Sequence, residues 1–148
     1  LSTLAMLDAG TISLAAGALL SSVAALAHLA CIAVGAPAYR FMGAGERMAR
    51  GAAAGRLRPT LVTLAIAGVL LLWAAYALSG AGLIARLPLT KPALVAICAI
   101  YLGRAFAFPL LQPVFPENTR TFWWTSSAIC LAIGLAHVYG VVQRWPAL

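Results

Sequence analysis

The sequence predicts an all-α protein, a four-transmembrane-helix bundle with an Arg-rich first loop able to lie at the membrane interface. Three observations predict it. The 148 residues are 64% hydrophobic and only 9% charged, and the mean hydropathy is +0.98, a composition that places lipid rather than water around the chain. Four apolar stretches each approach the roughly 20 residues that a helix needs to cross hydrocarbon at about 1.5 Å per residue. Almost every charge falls between those stretches rather than within them. The runs lack period-two alternation, and helices satisfy their own backbone polar groups in lipid, so helices rather than strands are expected.

The expected helices are Thr11 to Val34, Thr60 to Leu78, Pro92 to Leu111 and Phe122 to Val142, within a single transmembrane domain spanning residues 1–148. The first is read as a permanent span rather than a signal peptide, because Asp8 and no Lys or Arg precedes it. Ser13, Gly17, Ser21 and Ala25 recur every fourth residue along it and form a small-residue packing stripe, with His28 continuing the same face. Ser79-Gly80-Ala81-Gly82 stops the second helix. Pro92 suits the first turn of the third, which is expected to end around Pro109 and Pro113. The fourth carries its own stripe at Ser126, Cys130, Gly134 and His137, with Trp123 and Trp124 at one membrane boundary and Tyr139 and Trp145 at the other.

The loops set the orientation. Arg40, Arg47, Arg50, Arg56 and Arg58 in the first connection and Arg120 in the third outnumber Arg86, Lys91 and Arg144 on the opposite side. The positive-inside rule then places both termini outside and the Arg-rich loop on the cytoplasmic side. Tyr39, Phe41, Met42 and Met48 interleave with the loop arginines, which suits an interfacial segment, while Gly43, Gly45, Gly51 and Gly55 oppose one long helix there. The same five arginines, Arg40, Arg47, Arg50, Arg56 and Arg58, are candidates for contact with anionic membrane lipids, each adding about 1 kcal/mol near such a surface.

The net charge of +7 in this setting is an orientation signal rather than a nucleic-acid footprint. Cys31, Cys98 and Cys130 lie inside spans with no metal-ligand or disulfide spacing, so no metal and no cofactor is expected. A haem between His28 and His137 is disfavoured by depth. With both termini on one side the two rings should differ in height by on the order of 15 to 20 Å, too far for the axial ligands of one iron.

Arg104 stands out. An arginine at its depth costs up to about 3 kcal/mol on insertion scales and must reach headgroups, find a partner or line a wet cavity. No acid lies inside any span. The candidate ligand- or headgroup-binding set is therefore Arg104 with His28, Tyr101, Ser127 and Cys130, and Ser126 and Thr63 nearby in depth. The plain alternative makes Arg104 a headgroup anchor. A catalytic variant, a lipid-modifying activity at the inner leaflet, would use His28 as base and Cys130 or Ser127 as nucleophile, and requires His28, Arg104 and that nucleophile to come within hydrogen-bond reach.

The strings GAGERMAR (43–50), YALSGAG (76–82), RLPL (86–89) and YLGR (101–104) are similar to small uncharacterised four-helix bacterial inner-membrane proteins. The resemblance covers Pro37 to Arg104, and it implies an inner-membrane location without supplying any activity or site residue. The function expected is a non-enzymatic binding or accessory role toward an amphipathic ligand, lipid or membrane-protein partner, homo-oligomers included. The rivals are a small transporter or channel component acting as an oligomer, and the inner-leaflet enzyme.

Overall fold

A computed structural model describes residues 7–148, and among these the regular structure is helical throughout. The helices are α1 (Ala9–Val34), α2 (Ala36–Phe41), α3 (Glu46–Ala53), α4 (Leu57–Gly80), α5 (Thr90–Phe106), α6 (Phe108–Leu111) and α7 (Arg120–Arg144), and a 3-10 turn over Trp145–Ala147 follows. Three are long and apolar enough to cross a membrane: α1, α4, and α7 with its closing turn.

Local chemistry sets the helix ends. Asp8 caps α1, its Oδ1 accepting the Thr11 amide at 2.7 Å. Gly35 closes the same helix at φ 89°, donating its N–H to the Cys31 carbonyl. Thr119 caps α7 through Oγ1 and the Phe122 amide at 3.1 Å.

The helix expected from Pro92 to Leu111 is corrected. It runs from Thr90 to Phe106, 17 residues or about 25 Å at the α-helical rise. The Ala107 amide still bonds the Gly103 carbonyl, but Pro109 has no amide hydrogen to continue the ladder. The chain kinks at Ala107, and α6 restarts as one turn with Pro109 in its first turn. Length, rather than composition, is what separates α5 from the three spanning helices.

The long helices pack as a four-sided arrangement. α1 lies along both α4 and α7, α7 lies along α1 and α5, and a thinner α4–α5 contact closes the fourth side. The core runs through the middle as Leu14, Ala25, Ala67, Leu70, Leu94, Ile97, Tyr101, Ile133 and Val141. The expected stripes are the contact faces. The Ser13 hydroxyl donates to the Ala136 carbonyl at 2.6 Å, and a Cβ at Gly17 would sit 2.7 Å from the His137 ring. On α7, a Cβ at Gly134 would meet Leu102 at 2.9 Å, so each glycine sets how closely two helices approach.

Outside the core the four helices are aliphatic. Leu19 and Leu26 on α1, Leu61 and Leu72 on α4, Val95 and Ile100 on α5, and Ile129 and Leu135 on α7 are all exposed. Apolar surface on every side of a bundle matches a hydrocarbon surround and would be an aggregation hazard in water.

The two ends differ. At the end holding the N-terminus of α1 and the C-termini of α4 and α7, Arg144 ties three helices together. Its Nε donates to the Gly80 carbonyl at 2.5 Å and its Nη1 to Thr11 Oγ1 at 2.9 Å. Asp8 lies 3.5 Å from the same guanidinium. At the opposite end the arginine-rich connection folds into the α2–α3 helical hairpin. Gly43 and Gly45 turn it at φ 76° and 93°, where L side chains are strained. Tyr39 anchors the hairpin to α4, its hydroxyl 3.0 Å from Thr63 Oγ1. Asn118 donates to the Gly43 carbonyl at 3.0 Å. The loop is therefore a cap packed on the bundle.

Candidate functional site

The sequence-derived candidates separate into two layers along the bundle. The central layer is built on Tyr101, whose hydroxyl crosses from α5 to Ser21 on α1 at 2.6 Å. Its ring stacks on His137, centroids 5.3 Å apart, and meets Trp73 edge-on at 5.2 Å. His137 is fully buried. Its Nδ1 bonds the Ile133 carbonyl at 2.8 Å, and Nε2 is buried with no hydrogen-bond partner among the described residues.

The second layer is built on Arg104, one turn further along α5. Its guanidinium turns sideways toward α7, donating to Ser126 Oγ at 3.0 Å and more weakly to Ser127 Oγ at 3.4 Å. The Trp123 ring lies 5.4 Å from its Cζ, a cation–π separation. Trp123 is only 3% exposed, so it packs against Arg104, while Trp124 faces outward and stacks obliquely on Phe108. No carboxylate approaches Arg104 within ion-pair distance among the described residues. Glu117, in the connection that leads from α6 to α7, accepts the Glu46 amide at 3.3 Å. With two hydroxyls engaged, most of the five guanidinium N–H donors remain for another acceptor.

Of the candidate set, the structure joins Arg104 to Ser127 and adds Ser126 and Trp123. Tyr101 belongs to the central layer. Cys130 is half-buried and packs against the core. His28 stays on its own helix, its Nδ1 bonded to the Ala24 carbonyl at 2.7 Å. It makes no hydrogen bond to Arg104, Ser127 or Cys130, so the base, cation and nucleophile that the catalytic variant requires are not assembled. Thr63 serves the cap rather than this layer, donating to the Pro59 carbonyl and meeting Tyr39. The depth separation of the histidines holds. The His137 ring lies against Gly17, eleven residues before His28 on the same helix, which is about 16 Å along its axis.

Ser126 was visible as one of the small residues of the α7 stripe, one turn beyond Trp123 and level with Arg104. The Arg144 clamp was not singled out, although an acid at the start of the first helix and an arginine at the end of the last is a pattern that antiparallel packing brings together.

The cap carries the strongest charge. Arg40 holds Glu46 bidentately at 2.8 and 3.0 Å, which keeps the Glu46 carboxyl below its usual range and raises Arg40. Arg50 also reaches Glu46, at 3.4 Å. Arg47, Arg56 and Arg58 are exposed and have no ion-pair partner among the described residues. Comparison with known proteins yields no matching family profile, no matching curated protein and no matching solved structure.

Proposed function

We propose that the chain is a non-enzymatic four-helix protein of a bacterial inner membrane that binds the polar end of an amphipathic ligand or lipid at Arg104. In this reading α5 crosses alongside the three longer helices, its 17 residues extended to the interface by the kinked α6. Both termini lie on the periplasmic side. The arginine-rich cap lies at the inner leaflet, where Arg40, Arg47, Arg50, Arg56 and Arg58 add attraction to anionic headgroups.

The observation that carries the reading is the setting of Arg104. It is cradled by two hydroxyls and an indole face in the last turn of α5, with no carboxylate within ion-pair distance among the described residues. A cation held in place there without a counter-ion favours a phosphate or carboxylate at the headgroup level, which accepts charge-assisted, forked hydrogen bonds from guanidinium. Ser126 and Ser127 orient the fork and offer hydroxyl donors of their own.

Thermal unfolding in neutral detergent tests this. Adding an alkyl phosphate amphiphile should raise the melting temperature of the wild-type protein and leave Arg104→Ala unmoved, whereas an equal rise in both would detach the ligand from Arg104.

A further inference from the structure

We propose that the groove between α3 and the segment before α7 is a discrete phospholipid headgroup site, selective for a phosphodiester that ends in a primary ammonium. This rests on the reading that the chain is an integral membrane protein with its cap at the headgroup level, and it concerns a second place in the fold, distinct from Arg104. The groove has a volume of about 630 Å³, and Arg47, Arg50 and Arg56 line it together with Glu46 and Glu117.

The charges in it are not equivalent. Glu46 is held bidentately by Arg40 and also reached by Arg50, whereas Arg47 and Arg56 have no ion-pair partner among the described residues and are placed to take a phosphate. Glu117 accepts the Glu46 amide through one oxygen at 3.3 Å, and its exposed side chain is part of the groove lining. A groove that offers two unpaired guanidinia and one carboxylate matches a ligand carrying both signs. A purely anionic headgroup would meet Glu117 with repulsion. An ethanolamine ammonium instead donates N–H bonds to that carboxylate, while a choline group of the same charge has no N–H to donate.

The acyl chains have a place to run. Arg56 borders the groove and is followed directly by Leu57, the first residue of α4, with Leu61 and Leu64 exposed on successive turns of that helix. Further along, Gly68 is exposed with open space where a Cβ would stand, so nothing packs over this apolar face of α4 beyond the leucines.

Native mass spectrometry of the full chain reconstituted with equimolar phosphatidylethanolamine and phosphatidylcholine of identical acyl chains tests the site. The wild type should retain the ethanolamine lipid over the choline lipid by about fivefold, the effect of one exposed charge-assisted hydrogen bond of about 1 kcal/mol. Glu117→Ala should erase the preference, and Arg47→Gln with Arg56→Gln should lower retention of both lipids. Arg120→Gln, which removes a charge at the same end of the bundle but outside the groove lining, should change neither. Equal retention of the two lipids by the wild type, or a loss with Arg120→Gln equal to that with the groove variants, overturns the site while leaving the Arg104 reading intact. Failure to retain any lipid, with Arg104→Ala indistinguishable from wild type, overturns both.

Discussion

Tyr101 and Ser21 share a 2.6 Å hydrogen bond that joins α5 to α1 through the middle of the bundle. These two helices have little other direct contact, because α1 packs mainly on α4 and α7. The bond therefore links opposite corners of the four-helix arrangement, and the stacked His137 and edge-on Trp73 fix the ring that makes it.

Removing either partner should destabilise the fold by about 1 kcal/mol, the scale of interhelical hydrogen bonds in membranes. Tyr101→Phe combined with Ser21→Ala should cost less than the sum of the two, since each single change leaves a buried hydroxyl unpaired. Unfolding of all four proteins in mixed micelles measures the coupling, and strict additivity would mean that the bond contributes nothing.

Gly17 faces the His137 imidazole at a distance that leaves no room for a methyl group. Gly17→Ala should cost about 1–3 kcal/mol through overpacking. His137→Ala should relieve much of that penalty in the double variant, because the ring is what the new methyl strikes. The same unfolding assay reads the rescue, and a Gly17→Ala penalty unchanged by His137→Ala would place the clash elsewhere.

Asp8 gives the bundle a dependence on acid. The Thr11 amide, chiefly, and the Arg144 charge hold its carboxyl below the ordinary 3.8. A group whose folded-state pKa is depressed contributes stability that is complete above its unfolded value and disappears as pH falls through the folded one. Stability should thus decline below about pH 3.8 in the wild type. Asp8→Asn keeps a capping oxygen but has no proton to gain, so it should be less stable at neutral pH and lose less on acidification. Identical pH profiles for the two proteins would remove Asp8 from the explanation.

Gly43 turns the cap at positive φ, and a Cβ there would run into the Cζ end of the Phe122 ring. Gly43→Ala combines backbone strain with a clash, so it should undock the α2–α3 hairpin while the four long helices stay intact. Limited trypsin digestion in detergent should then cleave faster at Arg40, Arg47 and Arg50 with unchanged helical circular dichroism. Unchanged cleavage would show that the hairpin is held from its other side, through Tyr39 and Thr63.

The all-helical class and three of the four expected apolar spans were legible because hydropathy over twenty residues integrates many weak signals into one strong one. The small-residue stripes were legible for a related reason: Ser13, Gly17 and Gly134 recur at helical spacing, and such faces pack. The third expected span is instead a 17-residue helix, because apolar character continues through Phe108, Leu110 and Leu111 while a single missing amide at Pro109 breaks the ladder. Arg104 was legible as an isolated charge in an apolar stretch, but the direction of its side chain was not. Sequence spacing put Tyr101 on the same face, yet the long guanidinium swings to α7 while the tyrosine reaches across to Ser21. The groove around Arg47 and Arg56 depends on the hairpin folding back onto residues 115–122, a contact between segments some seventy positions apart that no local pattern carries.

The most direct measurement is native mass spectrometry of the detergent-purified protein, comparing wild type with Arg104→Ala and Arg104→Lys. A ligand or lipid retained by the wild type should be lost from Arg104→Ala and weakened in Arg104→Lys, because lysine keeps the charge without the fork. Equal retention in all three proteins would contradict the assignment and leave Arg104 as an anchor between Ser126, Ser127 and Trp123.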